Sequence, residues 1–235
     1  MGLIITKFKA ETVDFKRNIE FNEVYFKENF KFRGIDFMKE HDTIISSDHT
    51  NSYLLLKRFN VEGLIVVDQH IDLYDFKGLN KASVFRRCFE EGLIKFIIFV
   101  GVRESEMDET VFDRELYYID IIRTNDFNEG VLKALKILKK KGFRNIAVDI
   151  DLDAFDSDVI KGVEYCKDNL KNVLDDRKEF IEKELNENGL KVDVDIKKLK
   201  KFAIENDLNI VYWHITEFEP NFDDGRTLDL VKRLI

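Results

Sequence analysis

The sequence predicts an α/β fold, a three-layer α/β/α domain with a mainly parallel central sheet, and two observations support that prediction. Short apolar runs, each bounded by polar or turn residues, alternate along the chain with longer stretches of helical periodicity. The apolar runs are continuously hydrophobic, which is typical of strands buried on both faces of a parallel sheet. One proline and eleven glycines form no linker, so we expect residues 1–235 to form a single domain.

The individual elements follow from these two patterns. A short apolar patch in the first fifteen residues predicts the first strand. Six further apolar runs predict strands at Thr43–Ser46, Leu64–Val67, Phe96–Gly101, Ile119–Ile122, Asn145–Val148 and Ile210–Trp213. The stretches between them predict helices at Ser52–Phe59, Ser83–Glu91, Glu129–Lys141, Val159–Leu185 and Ile196–Asn206. The highly charged segment Lys167–Glu187 is expected to be a long helix with a solvated face.

Composition argues against several classes of protein. The chain carries 38 basic and 46 acidic residues, a formal net charge of -8, and its basic residues are scattered among the acids. It has no basic stripe that would bind a phosphate backbone, which argues against a nucleic-acid partner. It also lacks GxxxxGK[ST], GxGxxG and GxSxG motifs, so nucleotide-binding and serine-hydrolase functions have no support.

Cysteine usage and hydropathy bear on location. Cys88 and Cys166 are far apart and form no CxxC motif, which argues against a disulfide framework and fits a reducing cytoplasm. The N-terminus lacks a basic flank and a small-residue cleavage motif, and no window approaches the roughly 18 apolar residues that span a bilayer. We therefore expect a soluble, cytoplasmic protein with no membrane partner.

Potential metal ligands follow four of the predicted strands. The segment VVDQHIDLYD at 66–75 places Asp68, His70 and Asp72 at alternate positions. Alternation by two is the strand period, so these side chains would point the same way if the segment stays extended. Three further clusters are SSDHT at 46–50, DIDLDAFD at 149–156 and HITEFEP at 214–220. Open α/β sheets bind ligands at the carboxyl ends of their strands, where all four clusters are predicted to lie.

Carboxylates crowded at one end of a sheet would repel each other and lose solvation unless a cation lay among them. Two imidazoles with several carboxylates suit a first-row transition metal that tolerates oxygen ligands. Manganese or iron would suit these ligands, with zinc also possible, and this many ligands predicts two divalent ions. One DxHxD segment alone would more often consist of helix caps and surface acids. An EF-hand calcium loop is excluded, because Ala154 and Ile160 stand where that loop needs Gly and Glu.

Four segments, in this order, resemble the arginase/agmatinase (ureohydrolase) family. SSDHT at 46–50 is similar to its GGDHS motif, DQHID at 68–72 to DAHxD, and DLDAFDS at 151–157 to DxDxxDP. The closing TEFEPNFDDGRTLDLVKRLI at 216–235 is similar to VEVNP…GRTA…ARLI. VFRRCFEEGL at 84–93 and VGVR at 100–103 also resemble family segments. The resemblance implies an arginase-like fold.

The resemblance also implies a binuclear metal centre, because all six ligand positions carry the family's residue types. His49 and Asp72 would hold one ion, His70 and Asp153 the other, and Asp68 and Asp151 would bridge the pair. Two ions roughly 3.5 to 4 Å apart share a water and lower its pKa enough to give hydroxide near neutral pH. That hydroxide would attack a guanidinium or related trigonal carbon. Asp72 could also pass a proton to the leaving amine, and Glu217 would meet the guanidinium of the substrate.

Departures from the family pattern fall near the substrate. Where many members carry a His in a pattern like SHGTPFRR, the aligned NKASVFRR has Lys81. A lysine with a pKa near 10 would repel a guanidinium or attract a carboxylate or phosphate, and a surface lysine would do neither. Lys81 is therefore a candidate substrate-binding residue beside Glu217.

Further departures fall on the strand ends. Ser46 and Ser47 replace a glycine pair, and His214 replaces an acid near Glu217. Asp149 takes a position that usually carries a small hydroxyl residue. Two interpretations of Asp149 stay open: an acid that points away or accepts hydrogen bonds behind the site, and a functional residue. Asp156 matches a non-ligand family Asp and is expected to hold the loop.

Three functions are compatible with these residues. The first is a binuclear-metal hydrolase that cleaves a C–N bond of a small guanidino substrate, agmatine- or arginine-like. The second is a relative that has lost catalysis and acts as a binding or assembly module, because the shuttle His and the family's N-terminal substrate-facing segment are missing. The third is a hydrolase of a non-guanidine C–N bond in which Lys81 recognises an anionic group. Family members usually form trimers or hexamers, so the resemblance implies a homo-oligomer.

Overall fold

The structure, a computed structural model, describes residues 3–7, 24–28, 42–46, 49–75, 79–103, 118–158, 160, 163, 189–218 and 225–235. The strands within these residues are β1 (Leu3–Lys7), β2 (Val24–Glu28), β3 (Asp42–Ser46), β4 (Gly63–Val67), β5 (Phe96–Val100), β6 (Ile119–Ile122), β7 (Asn145–Asp151) and β8 (Asn209–Thr216). The α-helices are α1 (Asn51–Arg58), α2 (Val84–Glu90), α3 (Phe127–Lys140), α4 (Ile196–Glu205) and α5 (Arg226–Leu234). Two short 3₁₀ turns lie at Lys81–Ser83 and Leu152–Ala154.

The described strands form one sheet in the order β2-β1-β3-β8-β7-β4-β5-β6. Every neighbouring pair is parallel. The four strands β3, β8, β7 and β4 therefore lie side by side near the middle of the sheet, with their carboxyl ends at the same edge. This edge is where the predicted ligand clusters begin.

Helices cover both faces of the sheet, as the continuous hydrophobicity of the strands predicts. Leu64 and Val66 of β4 pack with α1 and α2 on one face. Ile65 and Val67 pack with α3, α4 and α5 on the other. All four side chains are fully buried, so the three-layer α/β/α prediction is confirmed. Within the described part of the chain, no helix has the length and apolarity to cross a membrane.

The predicted elements match the structure except at a few places. β7 and β8 run on to Asp151 and Thr216, past the predicted ends at Val148 and Trp213, because polar residues continue the pairing between these two strands. β2 and α5 are absent from the predicted elements, although Leu230, Val231 and Leu234 have helical spacing and are buried. The predicted helix at 159–185 and the charged segment 167–187 lie outside the described residues, apart from 160 and 163.

Gly189 lets the chain pass close to the turn that follows β7. A Cβ at this position would lie 2.5 Å from the carbonyl carbon of Phe155 and 2.6 Å from the amide nitrogen of Asp156. The next residue, Leu190, donates its N–H to the carbonyl of Ala154 at 2.8 Å and accepts the N–H of Asp156 at 3.0 Å. These backbone bonds hold the turn that contains Asp153.

Candidate metal centre

The candidate site lies at the carboxyl ends of the four central strands. His49 follows β3, Asp68 follows β4, Asp151 ends β7, and Glu217 follows β8. Parallel strands bring their carboxyl ends to one edge, so residues far apart in sequence meet there. The tertiary structure thus brings the predicted clusters together.

Asp68 and Asp151 have the same local geometry. Oδ1 of Asp68 accepts the backbone N–H of His70 at 2.7 Å, and Oδ1 of Asp151 accepts that of Asp153 at 2.9 Å. An aspartate that bonds to the backbone two residues on forms an Asx turn, which bends the chain. The second oxygen of each carboxylate faces His49: its Nδ1 lies 3.4 Å from Oδ2 of Asp68 and 3.3 Å from Oδ2 of Asp151.

Bending of the chain, and not strand alternation, brings Asp68, His70 and Asp72 together. β4 ends at Val67, the chain bends at residues 69–70, and Asp72 has a left-handed backbone with φ of 49°. The segment therefore does not stay extended, which was the condition for strand alternation to bring these side chains together. The side chains converge because the Asx turn and the left-handed residue redirect the backbone.

Two groups of side chains that could each hold a metal ion result, and Asp68 belongs to both. The first is His49, Asp68 and Asp72, and the second is Asp68, His70 and Asp153; the ligand atoms of each group lie within 4.8 Å of one another. In the first group, Nδ1 of His49 lies 3.0 Å from Oδ2 of Asp72. In the second, Nδ1 of His70 lies 3.3 Å from Oδ2 of Asp153. Asp151 lies beside the first group through its contact with His49 and falls in neither.

The donor chemistry of both groups fits divalent cations. Oδ2 of Asp68 and Oδ1 of Asp153 are buried and accept no hydrogen bond from the described residues. Buried carboxylate oxygens need a compensating partner, because desolvation of the charged form is costly. A metal ion beside Asp68 and Asp153 would supply that partner.

Burial and neighbouring charges shift the pKa values of these acids in opposite directions. Burial raises the pKa of Asp68 to about 7, and the carboxylates of Asp153 and Asp72 add to the rise. Burial also raises the pKa of Asp151 well above its ordinary value. Burial would likewise raise the pKa of Asp153, but the His70 imidazole holds it well below the usual range.

The two imidazoles respond to the same acids. Burial would lower the pKa of His49, yet Asp149 and Asp72 raise it well above the ordinary value. Burial would lower the pKa of His70 as well, and Asp153 raises it. Protonated imidazoles thus balance part of the negative charge. A divalent cation would take over this role by displacing protons, because metal ligands bind in their deprotonated forms.

Glu217 and Lys81 face each other beside these acids. Nζ of Lys81 lies 3.8 Å from Oε1 of Glu217, and the two side chains are 46% and 10% exposed. The charge of Glu217 contributes to the raised pKa of Asp151, which reflects its closeness to the metal-binding acids. Lys81 therefore partly neutralises the charge of Glu217.

Two of the candidate catalytic residues have unusual backbones. Glu217 has φ of 60° and Asp72 has φ of 49°, and a non-glycine residue in this region costs of order 1 kcal/mol or more. Asp207 has φ of 54° in a turn after α4, so the conformation alone does not identify a site. At Glu217 and Asp72 it coincides with placement beside the ligand groups.

Asp149, whose role the sequence left open, is fully buried, with Oδ1 2.9 Å from Nδ1 of His214 and 3.6 Å from Nε2 of His49. It therefore lies behind His49 and does not point away. Two other residues beside the site were not singled out from the sequence. Phe85 packs edge-on against the His49 ring at 5.0 Å between ring centroids. Arg103 is buried after β5, and its charge helps to lower the pKa of Asp153. Strand register decides the Asp149 contact, and local sequence does not encode it.

Asp156 holds the loop after β7, as predicted. Its Oδ1 accepts the backbone N–H of Asp158 at 2.8 Å. Ser47 and Asp48 of the first cluster, and Glu219 and Pro220 of the last, lie outside the described residues.

A family model described as the arginase family matches residues 41–167, more than half of the chain and including both groups of ligands. The chain belongs to the arginase family. The predicted family membership is thereby confirmed. Three of the four motifs, at 46–50, 68–72 and 151–157, lie within the matched residues, and the closing segment at 216–235 lies outside them. A comparison with curated proteins found no match.

Solved structures of arginase-family relatives share the fold. Formimidoylglutamase from Bacillus subtilis has a TM-score of 0.71 at 14% identity over 99% of this chain and 84% of its own. Agmatine ureohydrolase of Thermoplasma volcanium has a TM-score of 0.57 at 22% identity over 83% of this chain. Proclavaminate amidinohydrolase from Streptomyces clavuligerus has a TM-score of 0.60 at 19% identity over 86% of this chain. The chain spans 59% of the Thermoplasma protein and 64% of the Streptomyces protein.

Proposed function

We propose that this arginase-family protein is a binuclear-metal hydrolase that cleaves a C–N bond of a small guanidino compound, agmatine- or arginine-like. The observation that carries the proposal is the sharing of Asp68 between two groups of side chains that could each hold a metal ion, one buried and the other partly exposed. Two groups with one shared carboxylate suit a pair of ions a few ångströms apart, as in two-metal hydrolases.

Each residue has a role in this proposal. His49 and Asp72 would hold one ion, His70 and Asp153 the other, and Asp68 and Asp151 would bridge the pair. Two divalent ions, Mn²⁺ ahead of Fe²⁺ or Zn²⁺, would supply Lewis acidity and a hydroxide nucleophile near neutral pH. Asp72 would accept a proton and pass it to the leaving amine. Glu217, at 10% exposure, would orient the substrate by pairing with its cationic group.

Metal content tests the proposal. After reconstitution with Mn²⁺ or Fe²⁺ and desalting, elemental analysis of the wild type is expected to give about two ions per chain. Asp151→Asn is expected to give fewer, because the neutral amide lacks the negative charge and the second oxygen with which a carboxylate can bridge two cations. Metal-dependent hydrolysis of agmatine or arginine by the wild type would support the proposed reaction.

Other results would change the assignment. No retained metal in either protein would mean that the ligand set no longer works, and would favour a binding or assembly role. Two ions without hydrolysis of any guanidino or amide compound would separate metal binding from this reaction.

A second candidate substrate class rests on Lys81. Its ammonium lies 3.8 Å from Glu217, so a positive charge of the protein itself already faces the acid that would meet a guanidinium. A substrate with an anionic group would gain from this cation, whereas a guanidinium would be repelled by it. The reaction would then be hydrolysis of a non-guanidine C–N bond in a substrate that carries a carboxylate.

Replacing Lys81 with methionine distinguishes the two classes. If Lys81 binds a substrate carboxylate, Lys81→Met should raise the KM for N-formimidoylglutamate about tenfold to a hundredfold, since charge-assisted bonds contribute about 1.5 to 3 kcal/mol. The KM for agmatine should stay the same or fall. Lys95→Met is the matched control, because Lys95 pairs with Glu62 at 3.4 Å just before β5, at the opposite end of the sheet. An unchanged KM for the anionic compound would end this candidate.

A further inference from the structure

Three departures from the family pattern meet in one buried cluster behind the metal-binding groups. Nε2 of His214 lies 2.8 Å from Oγ of Ser46, and Nδ1 of His214 lies 2.9 Å from Oδ1 of Asp149. All three residues are at most 1% exposed. Separately, each replaces a family residue of another type; together, they form one connected set of polar contacts.

Strand register creates this cluster. Asp149 on β7 pairs directly with His214 on β8, and His214 pairs with Ile44 on β3, two residues before Ser46. Ser52 at the start of α1 adds a contact of 3.3 Å to Nδ1 of His214. Both ring nitrogens of His214 therefore have partners, which fixes the orientation of the ring beside Asp149.

Asp149 also reaches the metal-binding groups through His49. Nδ1 of His49 faces Asp68, Asp72 and Asp151 at 3.0 to 3.4 Å. The opposite ring nitrogen, Nε2, faces Oδ1 of Asp149 at 3.6 Å. A histidine that binds a metal through one nitrogen usually donates the N–H of the other to a carboxylate, which sets the tautomer and the ring orientation.

We propose that Asp149 is the positioning residue of His49: its carboxylate pairs electrostatically with the N–H at Nε2, 3.6 Å away, and keeps Nδ1 directed at the candidate metal-binding acids, while His214, anchored by Ser46, holds the carboxylate in place. This inference rests on the proposed function, because it takes His49 to be a metal ligand. The resemblance described above implies an acid at position 214 and a small hydroxyl residue at position 149. Relative to that pattern, the acid of this chain lies on β7 instead of β8, and His214 occupies the position on β8.

Binding of Mn²⁺ to each group tests the inference. Calorimetric titration and ion counting on the full chain are expected to show that Asp149→Ser weakens the ion at His49 about 10- to 100-fold. The ion held by His70 and Asp153 should keep near wild-type affinity, a selectivity that a general structural defect would not produce. The double substitution Asp149→Ser with His214→Asp returns the acid to β8 and should recover part of the lost affinity. The control Asp75→Asn removes an exposed carboxylate that pairs with Arg86 at 3.4 Å, and it should bind as the wild type does.

The failures of the two proposals are distinguishable. A wild type that retains no Mn²⁺ would count against the proposed function. A wild type that retains two ions, with Asp149→Ser folded and unchanged in affinity or equally weak at both groups, would overturn the positioning role alone. If thermal unfolding shows that Asp149→Ser does not fold, Ser46→Ala replaces it, because this change loosens His214 without altering a buried charge. Ser46→Ala should weaken the same ion several-fold, and unchanged binding would again overturn the role.

Discussion

Asp68→Asn is expected to remove both metal ions, whereas Asp72→Asn should remove only the ion at His49. The reason is that Asp68 belongs to both ligand groups and Asp72 to one. An asparagine has about the shape of the aspartate but lacks the negative charge that a bridging ligand shares between two cations. Loss of a residue that merely orients a ligand costs about 10- to 100-fold in metal affinity or activity, so loss of the shared ligand should cost more. Hydrolysis by Asp68→Asn is therefore expected to fall by more than 100-fold.

Ion counting after desalting and single-substrate kinetics check this result. Asp75→Asn is the matched control, because Asp75 follows in the same segment, has an 81% exposed side chain and pairs with Arg86 at 3.4 Å. It should retain two ions and full activity. One retained ion in Asp68→Asn, or two in Asp72→Asn, would contradict the assignment of the shared ligand.

Removal of metal by a chelator is expected to lower the Tm by about 5 to 10 °C for each ion lost. A ligand that binds the folded state at a hundred times its Kd stabilises it by about 2.7 kcal/mol. For a chain of this size, each kcal/mol shifts the Tm by about 2 to 4 °C. The physical source is the crowding of acids: burial and neighbouring carboxylates raise the pKa of Asp68 to about 7, and a cation would relieve that repulsion.

Thermal unfolding in EDTA, and then in excess Mn²⁺, measures this shift at constant protein concentration. Asp68→Asn should unfold at nearly the same temperature in both solutions, because it would no longer bind the ions. The control Asp75→Asn should show the full wild-type shift. Equal Tm values of the wild type in EDTA and in Mn²⁺ would mean that the ligand groups do not bind this metal at the concentrations used.

The hydrophobic pattern was sufficient to predict most of the strands and helices, because it is a property of short segments of the chain. Leu64, Ile65, Val66 and Val67 are all fully buried, as a continuously apolar strand between two helical layers requires. The pattern failed where polar residues continue a strand, as at Asp149 and Asp151 in β7. These acids are buried by their neighbours at the sheet edge, and hydropathy along one strand does not reveal those neighbours.

The candidate ligands could also be named largely from local sequence, because each lies within a few residues after an apolar run. Asp68, His70 and Asp72 could be named from one decapeptide. Their geometry could not, since the Asx turn at Asp68 and the left-handed backbone at Asp72 replace the extended segment that alternation predicts.

By itself, the sequence determined most of the strands and helices along the chain and the identity of the residues at the ends of the central strands, because periodicity and motif spacing are encoded within short segments. Only the tertiary structure decided that Lys81 faces Glu217 and that Asp149 lies between His214 and His49. Those contacts join residues far apart in the chain. They depend on strand register and loop conformation, which are set by the packing of the whole sheet and its helices.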